Sequence, residues 1–108
     1  MAEEEFNQEM ISFGIVASAG QARSMAFEAL AEAKKGDFDK ADELLKQAEE
    51  AGLEAHHAQT QLLAKEASGD HTPVDVLLVH AQDHLMTSML AQELIREIIE
   101  LRRELATK

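Results

Sequence analysis

Two imidazoles and a carboxylate stand close together at His80, Asp83 and His84, inside the stretch V-H-A-Q-D-H-L-M-T-S-M-L from Val79 to Leu90. At about 100° per residue, His80 and His84 fall on one stripe of a helix, one turn apart. Asp83 projects about 60° to one side of His80, toward the same region. A neutral imidazole is a nucleophile near neutral pH, since its unperturbed pKa is about 6.5. Thr87 and Ser88 follow, and their hydroxyls more often satisfy helix carbonyls than bind substrates.

The element that must position these groups is a helical pattern from about Val74 to Leu105. Leu77, His80, His84, Thr87, Ala91, Leu94 and Ile98 form one stripe. Val74, Leu78, Ala81, Leu85, Met89 and Ile99 form a second, and Asp75, Gln82, Glu93, Glu97 and Glu100 form a polar strip. A helix with two apolar stripes must be covered on both. One faces its own bundle, and the stripe that mixes apolar residues with imidazoles and a hydroxyl suits a functional interface. Met86 and Met89 read as packing residues.

Two further helices precede it. From about Glu3 to Lys34, the residues Phe6, Met10, Phe13, Ala17, Gly20, Ser24, Phe27 and Ala31 recur at spacings of three and four. Gly14 and Gly20 each cost about 1 kcal/mol against Ala in a helix interior, which points to close approach of another backbone, or else to a break near Gly20. Lys35-Gly36-Asp37 is a turn, with Gly36 just past one helix and Asp37 capping the next. A second helix spans 38–68, with Ala41, Leu44, Leu45, Ala48, Ala55, Leu62 and Leu63 on its apolar side. After a loop at Gly69 to Thr72, Thr72 is the expected cap, Pro73 the first helical residue and Asp75 the partner in a T-x-x-D box. Helices over about 3–34, 38–68 and 73–105 form an all-α, antiparallel up-down-up three-helix bundle, one domain over 1–108.

Composition narrows the functions. The net charge is −11, from 21 acidic against 10 basic residues, which disfavours nucleic acid and favours a protein partner with a basic face. The chain has no Cys, so disulfides, thiolate nucleophiles and Cys-ligated metals are excluded. It has four Phe and no Trp or Tyr, so the core must come from aliphatic residues and Ala, and a core that small is often supported by oligomer contacts. The opening M-A-E-E-E-F lacks the basic and apolar regions of a signal peptide, and no apolar run approaches the roughly 20 residues that span a bilayer. The expectation is a cytoplasmic protein without direct membrane insertion.

The run H-A-Q-D-H-L-M-T-S-M-L, followed by A-Q-E-L-I-R-E-I-I-E-L, resembles the signature of the lactose/cellobiose-type enzyme IIA of the bacterial phosphotransferase system. A-G-Q-A-R-S (Ala19 to Ser24), K-G-D-F (Lys35 to Phe38), E-A-H (Glu54 to His56) and Q-T (Gln59 to Thr60) also resemble family positions, so the similarity covers nearly the whole chain. It implies that His80 is the phosphorylated residue and that Asp83 holds a shared metal ion. It implies a homotrimer, with one metal on its axis and His80 in a cleft between subunits. The histidine phosphocarrier protein would phosphorylate His80, and His80 would pass the group to a Cys of the cognate enzyme IIB for uptake of a disaccharide. The motif looks closer to the cellobiose and diacetylchitobiose members than to the lactose members.

The residues themselves agree with a carrier. The chain has no Walker A loop and no glycine-rich nucleotide fingerprint, so a phosphorylated protein fits as donor better than ATP. His80 is placed about two turns into its helix, beyond the N-terminal dipole, and no Lys or Arg is near it in sequence, so nothing local would hold the phosphoryl group tightly. His84 is the expected hydrogen-bond donor to the phosphoryl group or to His80. Three Asp83 carboxylates meeting on a threefold axis must protonate or recruit a cation, and an oxygen-only ligand set favours Mg²⁺. His56 and Gln59 are assigned to packing or interface hydrogen bonds. His57 and His71 have no evident role.

Three other readings compete. H-x-x-D-H resembles an inverted zinc-peptidase motif with Asp in place of Glu, but it lacks a third ligand. Glu54-x-x-His57 is a single half of a di-metal bundle site, which needs two. A non-catalytic acidic assembly protein, associating through the last helix, is the remaining alternative.

Overall fold

Lys34 and Gly36 end the first helix where the sequence places its stop. In the computed structural model, which describes residues 2–108 with side chains from residue 7 onward, α1 runs Ala2–Lys34. Gly36 has φ +87°, a left-handed conformation that a Cβ would strain. The Asp37 carboxylate then accepts a hydrogen bond from the Lys40 amide at 3.1 Å and caps α2, Phe38–Ala51. The expected apolar position at Phe6 lies outside the described side chains.

The second helix is not continuous over 38–68. It divides at Gly52 into α2 and α3, Leu53–Ala67. Gly52 has ordinary backbone angles, φ −84° and ψ −6°, so its missing side chain does not cause the break. The cause is Ser18 of α1. Its hydroxyl donates to the Ala51 carbonyl at 2.7 Å and accepts from the Ala55 amide at 3.2 Å. It stands between the two groups that would otherwise bond each other, and such an insertion kinks a helix.

The last helix, α4, runs Val76–Ala106 rather than starting at Pro73. Asp75, not Thr72, is its cap, accepting from the Leu78 amide at 2.8 Å. The preceding residues are held by other elements. Gln8 of α1 donates to the Pro73 carbonyl at 2.6 Å, and the Thr72 amide donates to Glu66 at the end of α3. The Thr72 hydroxyl is buried without a partner, so it caps nothing.

With α2 and α3 taken as one kinked arm, the architecture is the all-helical up-down-up bundle. Most buried apolar positions are alanines. One cluster joins Ala26, Ala29 and Ala33 of α1 to Ala41, Leu45 and Ala48 of α2 and Ile95 and Ile99 of α4. The other joins Ile15 and Ala19 to Ala55 of α3 and to Ala81 and Leu85 of α4. Small side chains bring the helix backbones close, and this gives a rod of 60 × 22 × 20 Å.

The three-four stripe on α1 points outward. Met10, Phe13 and Phe27 are each about half exposed, whereas Ser12, Ile15, Ala19, Ala22, Ala26 and Ala29 are buried. Hydrophobicity marks the wrong face here, because the true packing face is built of small residues.

Candidate functional site

On α4 the expected core stripe is confirmed at Leu78, Ala81, Leu85 and Ile99, with Met89 half-buried. Val74 departs from it, standing exposed in the loop. The opposite face is apolar and uncovered: Val76, Val79, Met86, Leu90, Leu94, Ile98, Leu101 and Leu105 are all exposed. At about 100° per residue this seam is centred on Asp83, whose side is about 180° from the core line through Ala81 and Leu85. His80 and His84 occupy the flank between seam and core, on the side toward α1.

The two imidazoles stack, with ring centroids 5.9 Å apart and planes 22° from parallel. A ring-to-ring N–H···N bond lies in the ring planes, so this arrangement disfavours a direct His84–His80 hydrogen bond. Neither ring makes a hydrogen bond to another described side chain or backbone group. His80 is exposed and His84 half-buried. His80 is the fifth residue of α4, just past its first turn, not two turns in. The N-terminal dipole is therefore weak there but closer than the sequence suggests.

Side-chain hydroxyls fix the frame around this pair. Ser88 is buried and donates across to the Ala19 carbonyl of α1 at 2.9 Å, setting the register of α4 on α1 one turn beyond His84. Thr87 donates back to the carbonyls of Asp83 and His84 at 2.9 and 3.2 Å. Both hydroxyls thus satisfy helix carbonyls, as expected.

A shallow groove opens beside His84, lined by Gly20, Arg23, Ser24, Phe27, Glu28 and Ala31 of α1. The Arg23 guanidinium lies 5.7 Å over the Phe27 ring. The sequence shows no cation near the histidine pair, and the bundle brings Arg23 of α1 into the groove that His84 lines. Gly20 does face a close neighbour, but it is the His84 side chain rather than a backbone, and α1 does not break there. Gly14 faces open space. The Ala19–Ser24 run, visible in the sequence as a motif, owes its proximity to His84 to tertiary packing alone.

Among the described residues, no group of three or more His, Cys, Asp or Glu converges to hold an ion. Asp83 is exposed and offers one carboxylate from the middle of an apolar seam. That donor fits a metal only if other chains bring theirs to it. His57 and His71 are exposed, and His71 pairs with Glu66 at 2.8 Å. Gln59 is half-buried, with its side-chain carbonyl unpartnered.

The chain is thus an all-helical bundle that presents a stacked histidine pair beside a groove, with an uncovered apolar seam alongside. The chain belongs to the lactose/cellobiose-specific IIA subunit family of the phosphotransferase system, whose model matches residues 10–103. It is accordingly a phosphotransferase component. It is 50% identical over 92 residues to the lactose-specific EIIA component of Streptococcus mutans, covering 85% of this chain and 88% of that protein. It is also 50% identical over 97 residues to the N,N′-diacetylchitobiose-specific EIIA component of Escherichia coli, covering 90% of this chain and 84% of that one. The crystal structure of a cellobiose-specific enzyme IIA from Bacillus anthracis superposes with a TM-score of 0.87 at 47% identity, covering 92% of this chain and 91% of the other. The IIA(chitobiose) of the E. coli phosphotransferase system, in its solution complex with HPr, superposes at 0.78 with 48% identity, over 91% and 95% of the two chains. Among the described residues, no helix is long and apolar enough to cross a membrane.

Proposed function

We propose that this chain is a cytoplasmic phosphoryl carrier that works through His80. The observation that carries the proposal is the exposed His80 ring, stacked on His84 and free of hydrogen bonds to the described protein groups, in a chain of the IIA family. A neutral His80 nitrogen attacks the phosphorus of a phosphohistidine on a histidine phosphocarrier protein. The donor's P–N bond breaks, a new P–N bond forms on His80, and the donor imidazole leaves. In the onward step, a cysteine thiolate of enzyme IIB attacks the phosphorus, a P–S bond forms, the P–N bond to His80 breaks, and His80 leaves as the neutral imidazole. The HPr complex of the related IIA(chitobiose) supports this kind of donor.

His84 donates a hydrogen bond to the phosphoryl group, since neither of its ring nitrogens is bonded to another described protein group and only Nε2 is turned against Gly20. Relatives with lactose and diacetylchitobiose specificity match equally well by identity, so the reading of a cellobiose- or chitobiose-like disaccharide rests on the resemblance of the His80 motif. Lactose is the alternative.

Three copies associate along the α4 seam as a homotrimer, and Asp83 from each holds one shared Mg²⁺. Three Asp83 carboxylates would otherwise repel one another amid apolar side chains, and a divalent ion held by them would offset most of that charge. The exposed seam centred on Asp83 supports this assembly.

Incubation with a phosphorylated phosphocarrier and then with purified enzyme IIB tests the relay. The group should appear on this chain and then on the IIB cysteine. A chain that is phosphorylated but never passes the group on would contradict the carrier role.

A further inference from the structure

We infer that Gly20 is a positioning residue for the His84 imidazole, and through it for His80. The kinetic part of this inference rests on the phosphoryl-carrier reading; the geometric part does not.

Gly20 lies inside α1, where glycine is less favourable than alanine. Its backbone does not demand glycine, since the positive-φ positions among the described residues are Gly36 and Gly69. Something else must account for it. A Cβ built at Gly20 would meet one atom within 4 Å beyond its own stretch of helix: Nε2 of His84, at 3.2 Å. At that distance the ring must give way by a few tenths of an ångström. Gly14, two turns earlier on the same helix, would meet nothing.

Two further contacts restrict how the ring can yield. The Ser88 hydroxyl holds the Ala19 carbonyl at 2.9 Å, so α4 cannot slide or lift from α1 beside Gly20 without breaking a buried hydrogen bond. The His84 ring also stacks on His80, with centroids 5.9 Å apart. The imidazole thus meets the bare α1 backbone with its Nε2 edge and the His80 ring with its face. A methyl group at position 20 pushes it out of that seat, and the stacked partner with it. Gly20 therefore sacrifices helix stability to leave room for a correctly placed ring.

The test is Gly20→Ala in the full chain, alone and combined with His84→Ala. Three quantities are read: the melting temperature, the ¹⁵N resonances of the two imidazoles, and the rate of phosphorylation by a phosphorylated phosphocarrier. The expected result is a raised melting temperature, displaced His84 and His80 resonances, and a rate reduced about tenfold, a fraction of the loss that a misplacement of about 1 Å can bring. In the His84→Ala background, Gly20→Ala should cause no further loss of rate. Unmoved resonances overturn the inference, as do moved resonances with an unchanged rate. A rate loss that persists undiminished without His84 assigns Gly20 to partner docking and overturns it as well. If wild-type protein is not phosphorylated at His80, the carrier reading fails, while the resonances still decide whether Gly20 seats the ring.

Discussion

His80 and His84 are one helical turn apart, and their surroundings divide the labour between them. The exposed ring is the one a partner can reach; the half-buried ring is held from the α1 side. Removing the inner ring should therefore leave acceptance possible but slower. His84→Ala is expected to lower the rate of His80 phosphorylation by about 10- to 100-fold, the loss of one charge-assisted hydrogen bond to the phosphoryl group. A rapid-quench time course with a phosphorylated phosphocarrier checks this, and an unchanged rate would remove His84 from the chemistry. The proximity of this residue pair was legible in the sequence because spacing alone puts both on one stripe. Arg23 and Gly20 were not legible as neighbours of His84, because nothing local links residues so distant along the chain. Their closeness depends on the Ser88–Ala19 hydrogen bond, which fixes how two helices register.

At the scale of the helices, the turns were readable and the kink was not. Asp37 and Gly36 act through local chemistry, which sequence carries directly. The division at Gly52 depends on a hydroxyl from another helix, and the glycine at the break is not its cause. Two substitutions separate these. Ser18→Ala should destabilise the protein by about 1–2 kcal/mol, by removing a buried hydroxyl with two partners. Gly52→Ala should be neutral or stabilising by up to about 1 kcal/mol, since its angles suit alanine and its Cβ would sit in ordinary contact with Ala22 at 3.4 Å. Urea denaturation of both variants checks the pair, and the reverse ranking would return the kink to the glycine. The helix start at Val76 was misread for a related reason. Thr72 and Pro73 carry the local signals of a start, but α1 and α3 hold that segment through Gln8 and Glu66. Asp75→Ala should then cost about 1 kcal/mol by leaving the Leu78 amide uncapped, while Thr72→Ala should not cost a cap.

The whole molecule is a rod with a small alanine core and a long uncovered seam. Its radius of gyration is 16.8 Å, against about 13 Å for a compact domain of this length. Such a shape leaves much apolar surface in water, and the seam on α4 is the surface that association would cover. Both stripes of α4 had to be covered on sequence grounds, but the seam is broader than the His80 stripe and is centred on Asp83. Met86, read from the sequence as a packing residue, is part of it. On the proposed trimer with a shared ion, Asp83→Leu should make the assembly tighter and indifferent to chelator, because it would remove three like charges and the need for an ion to offset them. Sedimentation velocity with and without EDTA reads both effects. Wild type that stays trimeric without bound metal, and a variant no tighter than it, would contradict the shared-ion account.

The most direct measurement is the intact mass of wild type and of His80→Ala after incubation with a phosphorylated histidine phosphocarrier protein. The account predicts one acid-labile, phosphate-sized gain per wild-type chain and none in the variant. Wild type with no gain beside an active donor, or His80→Ala with an undiminished gain, would contradict it.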